Sequence, residues 1–591
     1  MKTSPRPDPA SSAPRSRPLG SRTSHLGTNR WSTKYWFPNI WSTKYWRAEH
    51  GATASAGRAA CVALALASAA CGAARPPARA HTPPTRPPPK LPWEATSALD
   101  RAPGAPSPAQ TPAPVVLVRD ATLWLATGRS VARGSILLRG GRIEAVGEAA
   151  LAAPPGARVI DGAGKFVTPG IIDTHSHLGV YPWPSDAAAH ADGNEMTEPV
   201  TAFARAADAF WPFDPALERA ARGGVTSLQI LPGSGNLVGG RAATLKLRVA
   251  PWGSFLPSVR DLHPEGAPDG LKMACGENPK RVYGGEKGRA PMTRMGNLAL
   301  QRAAFLRARE RLAAWERWRD AEQKRLAEHD KKLAAFEAER AARRARGEPD
   351  QALEAPSPGE PTTPPDRDPG LETLIGALTG HVLVHVHCYR ADDMLAMLAL
   401  GDELGFRVRS FHHALEAYKI RGELARRGVS VSTWADWWGF KLEAYDGIEA
   451  NVALVHEAGG RAIVHSDSAE GIQRLNQEAG KALAAGRRAG VALTDEDAIR
   501  WITANAAWAL GIDARTGTLE VGKEADVVLW DKHPLSVYAK AELVLVDGHV
   551  VVDLGVDASP RSDFELGQDA GAMPLAPLAP STPDAKAGGA R

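Results

Sequence analysis

The chain has 591 residues, 43% hydrophobic and 23% charged, with a formal charge of only +5. These values suit an ordinary soluble protein of two to four domains with a large core. Much of the positive excess sits in the first ~90 residues, and there is no helix-turn-helix signature, finger spacing or phosphate-cradling glycine loop, which argues against a nucleic-acid binder. Four cysteines in so long a chain, Cys61, Cys71, Cys275 and Cys388, make no disulfide framework.

Residues 1–57 are rich in Ser, Pro, Arg and Thr without an apolar period, and read as disordered. The hexapeptide Trp-Ser-Thr-Lys-Tyr-Trp occurs at 31–36 and 41–46, and two copies do not make a repeat fold. A basic residue, an apolar stretch and small residues follow at about 58–71, the pattern of an export signal too short to span a bilayer. Ser68-Ala69-Ala70-Cys71 resembles a bacterial lipoprotein cleavage box, although Ser68 stands where Leu is usual. The expectation is export to the periplasm or anchoring by a lipid on Cys71. Pro-rich sequence continues to residue 113 as a linker.

Short β runs begin near Val115, and a matching set returns near the other end of the chain. Segments 114–168 and 516–556 are therefore expected to build a composite β-sandwich. Residues 169–515 alternate apolar strand runs with helical stretches, as in a parallel barrel buried on both faces. The fold class is α/β, a (β/α)8 TIM-like barrel inserted in a small β-sandwich domain built from both terminal segments. A stretch at about 298–370 breaks the rhythm. Its Ala, Arg, Glu, Leu and Lys predict a long exposed helix or helical hairpin, followed by a Pro-rich loop. The simplest reading is a solvated helix; a lid or a dimer contact is the alternative. Residues 557–591 read as a disordered tail.

Chemistry-bearing side chains cluster at the ends of strand runs. His175 and His177 are two residues apart after an apolar run, so strand alternation points both the same way. Two imidazoles so placed can reach one transition-metal ion. Further clusters close three later runs: His385-Val386-His387-Cys388-Tyr389-Arg390, His412-His413, and His465-Ser466-Asp467. Catalytic groups of such barrels come from the carboxyl ends of several strands. A lone buried His is more often a satisfied core residue, but four strand ends in order are poorly explained that way.

On these residues the chain resembles the amidohydrolase superfamily, in its imidazolonepropionase-like branch. The resemblance runs from Val115 to Asp553. It rests on Asp173-Thr174-His175-Ser176-His177, on the segments Gly224–Gly240 and Gly276–Lys280, and on the return segment Thr516–Asp526. It implies a divalent metal, zinc above all, as one or two ions. His175, His177, His387, His413 and Asp467 would be the ligands. His413 stands three residues before Glu416, where related sequences place the ligand, whereas strand parity favours His412. Two-metal members bridge their ions with a carboxylated Lys or a Glu on the fourth strand. Lys246, in the apolar run Ala243–Leu247, has that place, with an ammonium snorkelling to the surface as the alternative.

Asp467 would also carry the proton, with His465 assisting and His385 and His412 supporting. Tyr389 and Arg390 can bind a substrate carboxylate. The expected activity is hydrolysis of a C–N bond, amide or cyclic amide, in a small-molecule substrate. The alternatives are a prolidase-like dipeptidase of the same superfamily and a metal-free structural or binding protein on the same barrel. A homo-oligomer is compatible with the sequence.

Overall fold

The computed structural model describes residues 87–556, except 96, 98, 101–111, 149, 185–190, 249–257 and 350–353. These residues all fall in the unit Thr82–Arg591. The unit Met1–His81, with the hexapeptide pair, the export segment and Cys71, lies outside them, as does the C-terminal tail. Among the described residues no helix is long and apolar enough to cross a membrane.

The chain begins with β1 (Val116–Trp124), β2 (Ser130–Arg139), β3 (Arg142–Gly147), β4 (Arg158–Asp161) and β5 (Phe166–Pro169). The barrel follows as β6 (Ile171–Ser176), β7 (Val225–Ile230), β8 (Val238–Lys246), β9 (Gly270–Ala274), β10 (Leu383–Cys388), β11 (Val408–His413), β12 (Ser430–Thr433) and β13 (Ala462–Val464). The chain then returns through β14 (Val527–Trp530), β15 (Ala541–Val546) and β16 (His549–Asp553). Both terminal sets share one sheet, in the order β16-β15-β14-β5-β1-β2-β3 with β4 paired to β1. That sheet has its own core of alternate side chains such as Val116, Val118, Ile136, Val527 and Leu543.

The barrel strands neighbour one another in the order β6 to β13. The Asp467 amide, just past β13, donates to the carbonyl of His175 on β6 (3.0 Å) and brings the last strand end beside the first. Every barrel residue of β6, β7, β9, β12 and β13 is buried, which explains the near-continuous apolar runs without alternation. One strand departs from the parallel pattern: β8 pairs antiparallel with both β7 and β9. Its carboxyl end therefore lies at the opposite mouth of the barrel from the other carboxyl ends.

The insertion is a single helix, Arg294–Ala345, of 52 residues, about 78 Å long at 1.5 Å per residue. It is not a helical hairpin. Its first half packs on the barrel through Phe305, which stacks on Phe406 at 4.5 Å, and on the N-terminal turn Pro92–Glu94 through Trp315, edge-on to Trp93. Its second half is bound by the Pro-rich segment running back along it. The Trp318 indole donates to the Thr362 carbonyl (2.9 Å), and Thr362 donates through its amide and hydroxyl to Glu322 (3.1 and 2.9 Å). Proline has no amide donor, so a Pro-rich segment does not extend a sheet and is held instead by bonds to helix side chains.

Candidate metal centre

His175, near the end of β6, and His177, the residue after that strand, stand at the barrel mouth on the face that alternation assigns to both. The His177 Nδ1 donates to the carbonyl of Leu231 (2.8 Å), because a carbonyl can only accept. In the neutral ring this leaves a lone pair on Nε2. That Nε2 lies 3.3 Å from Nε2 of His175, and Asp467 Oδ1 lies 3.3 Å from the first and 3.5 Å from the second. Atoms about 2.1 Å from a common centre in a tetrahedron are about 3.4 Å apart. Three electron-rich atoms converge at the spacing of ligands to one cation. The donor set of two imidazoles and a carboxylate suits zinc and its neighbours.

His413 and His465 extend the group. Each offers a ring nitrogen within 4.8 Å of one on His175, and His413 Nε2 is 3.9 Å from Asp467 Oδ2. His387 stands beside His413, ring centres 4.6 Å apart, and its Nε2 accepts from the Asn278 amide at 3.3 Å. Nδ1 of His387, Nδ1 of His413 and both ring nitrogens of His465 are buried without a hydrogen-bond partner. Buried polar atoms are nearly always satisfied, so these orphans are a further reason to fit a cation here. His413 and Asp467 both have left-handed backbones (φ 68° and 50°), uncommon for residues with a side chain and concentrated at functional sites.

Burial drives the His175, His387, His412 and His413 pKa values well down; nearby Lys272 lowers those of His175 and His387 further. Neutral imidazole is the metal-binding form. For Asp467, burial alone would raise the pKa, but the hydrogen bond and charge of His177 in its imidazolium form bring it below the usual carboxylate value; in the neutral ring that Nε2 carries the lone pair instead. Asp173, fully buried and accepting from Ser466 and the His175 amide, is pushed up to about 7 by burial.

His412 and His413 take different places. His412 Nδ1 is 2.8 Å from Nδ1 of His175 and its Nε2 is 2.9 Å from Nδ1 of His385. Both nitrogens of His412 are thus used inside the barrel, in a three-imidazole chain behind His175. His413 faces Asp467. The parity argument for His412 fails because the left-handed turn at His413 breaks the strand alternation there. His385, at the far end of that chain, is buried with Nε2 unpartnered.

Lys246 is not at this site. It ends β8, level with Ser227 near the start of β7, at the opposite mouth. Its ammonium is paired with Glu524 Oε2 (2.6 Å), Asp526 Oδ2 (2.9 Å) and Asp547. Burial alone would lower its pKa, but these three carboxylates outweigh it and raise it. The reason is the antiparallel run of β8, which sequence pattern does not announce. The fourth strand is β9, and its Lys272 lies fully buried with Nζ 3.4 Å from Nε2 of His175. Burial lowers its pKa to about 8. Lys272 was missed because Gly270-Leu271-Lys272-Met273-Ala274 carries the same signal as the Lys246 run, a lysine among apolar residues.

Arg390 does not face the site either. It forms a bidentate pair with Asp392 (both 2.8 Å) at the head of the helix Ala391–Leu404. Tyr389 does line it, buried and stacked on His413 at 5.2 Å. Asn278 and Lys441 were also missed. Lys441 donates to Asn278 Oδ1 (3.0 Å), pairs with Glu277 (3.0 Å) and sits 4.1 Å from the Tyr389 ring centre. The turn that carries Glu277 and Asn278 begins at Gly276, where φ is +75° and a Cβ would meet a Glu443 oxygen at 2.6 Å. Cys275 and Cys388, at the ends of β9 and β10, are joined by a disulfide, a pairing across 113 positions that the cysteine count did not suggest.

A crystal structure of an amidohydrolase from Thermotoga maritima MSB8 superposes with a TM-score of 0.60 at 31% identity, covering 74% of this chain and all of that one. The chain belongs to the amidohydrolase family. The amidohydrolase family model matches residues 377–552, the second half of the barrel and the return to the terminal sheet. Amidohydrolase tasK of Hapsidospora irregularis is 34% identical over 410 residues, 68% of this chain and 38% of that protein. An imidazolonepropionase of Klebsiella pneumoniae (strain 342) is 36% identical over 116 residues, 17% of this chain and 28% of that protein. The chain thus spans well under half the length of either curated relative in the matched region. Family membership accounts for the barrel.

Proposed function

We propose that this amidohydrolase is a metal-dependent enzyme that hydrolyses a C–N bond, amide or cyclic amide, by water activated between His175, His177 and Asp467. The observation that carries the proposal is the convergence of two imidazole nitrogens and a carboxylate oxygen within 3.3–3.5 Å of one another. A divalent cation bound there, zinc in the first instance, supplies acidity to water and polarises the scissile carbonyl. Asp467, ionised and beside both imidazoles, accepts the water proton on a carboxylate oxygen. The water oxygen bonds to the carbonyl carbon, the C–N bond breaks, and Asp467 returns the proton to the leaving nitrogen. His412, behind His175, holds that ring's orientation.

Lys272 takes the bridging role first expected of Lys246. Its lowered pKa raises the fraction of neutral amine, the form that adds carbon dioxide to give a carbamate. With His387 and His413 it would hold a second ion. Likeness to an imidazolonepropionase favours a ring amide as substrate. The Cys275–Cys388 disulfide favours an oxidising compartment, in keeping with export.

Metal analysis with intact mass, alongside turnover of cyclic amides and of Xaa-Pro and Xaa-Arg dipeptides, tests the reading. Asp467→Asn is expected to retain metal and lose turnover by a factor of about 10² or more. Unchanged turnover removes Asp467 from its role, dipeptides as the preferred substrates favour the dipeptidase, and protein free of metal when purified without chelator ends the proposal.

A further inference from the structure

The wall of the site after β12 carries a ladder of aromatic rings from the metal ligands to solvent. Trp434 stacks on His413 at 4.3 Å and is pinned by its indole N–H, which donates to the Ser466 carbonyl (3.0 Å). Trp437 stacks on Trp434 at 5.6 Å, and Phe440 stands edge-on to both Trp434 and Tyr389 at 6.0 and 6.1 Å. Trp434 and Tyr389 are buried, whereas Trp437 is 44% and Phe440 56% exposed. Leu442 and Tyr445, next along the same loop, are 86% and 73% exposed. Large apolar side chains left in water together at the rim of a cleft mark a surface that a ligand covers.

The charges in this wall are already matched. Lys441 has Glu277, and Arg294 has Asp393 (3.0 Å) and Glu443. Arg390 has Asp392. Among the described residues the wall therefore offers flat apolar area and no spare cation for a carboxylate.

We infer that the substrate carries an uncharged aromatic or flat apolar substituent beside its scissile bond, which lies on the Trp434–Trp437–Phe440 ladder. This rests on the hydrolytic reading of the site and names the class of molecule it takes. Aromatic rings prefer offset-stacked or edge-to-face neighbours, and two exposed rings continuing a buried stack present both geometries. The ladder is continuous with His413, so a ring bound on it places its amide at the metal ligands; a lipid surface would need no such continuity.

The test uses the metal-loaded full chain and three ring amides that differ in one substituent: 5-benzyl-, 5-methyl- and 5-carboxyethylhydantoin. The benzyl compound is expected to exceed the methyl compound in kcat/KM by about tenfold or more, with the carboxyethyl compound no better than methyl. Trp437→Ala and Phe440→Ala should each bring the benzyl-to-methyl ratio towards one, chiefly through KM, and Trp437→Phe should keep it. A ratio near one in the wild type, a preference for the carboxylate, or a ratio that survives both alanine variants overturns the inference. Vesicle binding lost in Trp437→Ala with the ratio unchanged overturns it in favour of a lipid contact. If none of the three is hydrolysed, that result counts against ring-amide hydrolysis, and calorimetry still reads the wall. Tighter benzyl than methyl binding, lost in Trp437→Ala, supports the inference, and equal binding overturns it.

Discussion

Replacing Lys246 by Met separates the two lysines that the sequence alone could not tell apart. The substitution keeps the apolar stem and removes the ammonium from between Glu524, Asp526 and Asp547. Two of these carboxylates keep another cation: Glu524 has Arg515 at 2.5 Å and Asp547 has Arg248 at 2.6 Å. Asp526 does not. It is fully buried, with the Thr516 hydroxyl (2.7 Å) and the Asp547 amide (2.9 Å) as its remaining donors. Leaving one buried charge without its partner costs about 3–5 kcal/mol. An unfolding entropy of about 2.1 cal/mol/K per residue over the roughly 440 described residues gives close to 1 kcal/mol per degree, so Tm should fall by about 3–5 °C. Calorimetry of the metal-loaded protein at pH 7 measures this, with metal content and turnover followed in the same sample. Both should match the wild type, because Lys246 lies at the opposite mouth of the barrel. The Tm difference should narrow as acid protonates the carboxylates. Loss of metal with Tm unchanged would refute the reasoning and return Lys246 to the metal centre.

Lys272→Ala should lower bound metal from two ions towards one and remove the mass of one carbon dioxide from the intact protein; two ions retained would show that no bridge is needed. His412→Phe, which removes the hydrogen bond behind His175, should weaken metal binding by about 10–100-fold in competition with a chelator. Reducing the Cys275–Cys388 disulfide, which closes a loop across 113 positions, should cost about 4–5 kcal/mol in the chain-entropy account, read as a lower Tm in reductant. For Asp547, burial alone would raise the pKa, but Lys246 and Arg248 hold it down at about 2 in the folded protein, against an ordinary 3.8. A depressed carboxylate stabilises above its unfolded pKa, so the share of stability that Asp547 contributes should be lost as pH falls from about 4 to about 2. Stability flat across that window would contradict the ion cluster.

The His175–His177 pair was legible because strand alternation is a local rule, and β6 obeys it to its end. The His- and Asp-bearing ends of β10, β11 and β13 were legible because an apolar run followed by polar residues marks the rim of a buried strand. At His413 the same rule misleads, since one left-handed residue is enough to turn the next side chain to the same side. The aromatic ladder is invisible as a feature of the chain: Tyr389 and Trp434 are 45 positions apart in number and meet only when β10 and β12 are brought round the same barrel.

Sequence by itself determined the α/β alternation, the return of the chain to its starting sheet and which strand ends carry the histidines gathered at the barrel mouth, because each depends on patterns within a few residues. Tertiary structure alone decided which lysine meets the imidazoles, which of two adjacent histidines faces the carboxylate, and that Cys275 reaches Cys388. Those depend on strand direction and on neighbours far away in number. Reversing one strand, β8, carries its last side chain to the other end of the barrel without changing a single local preference.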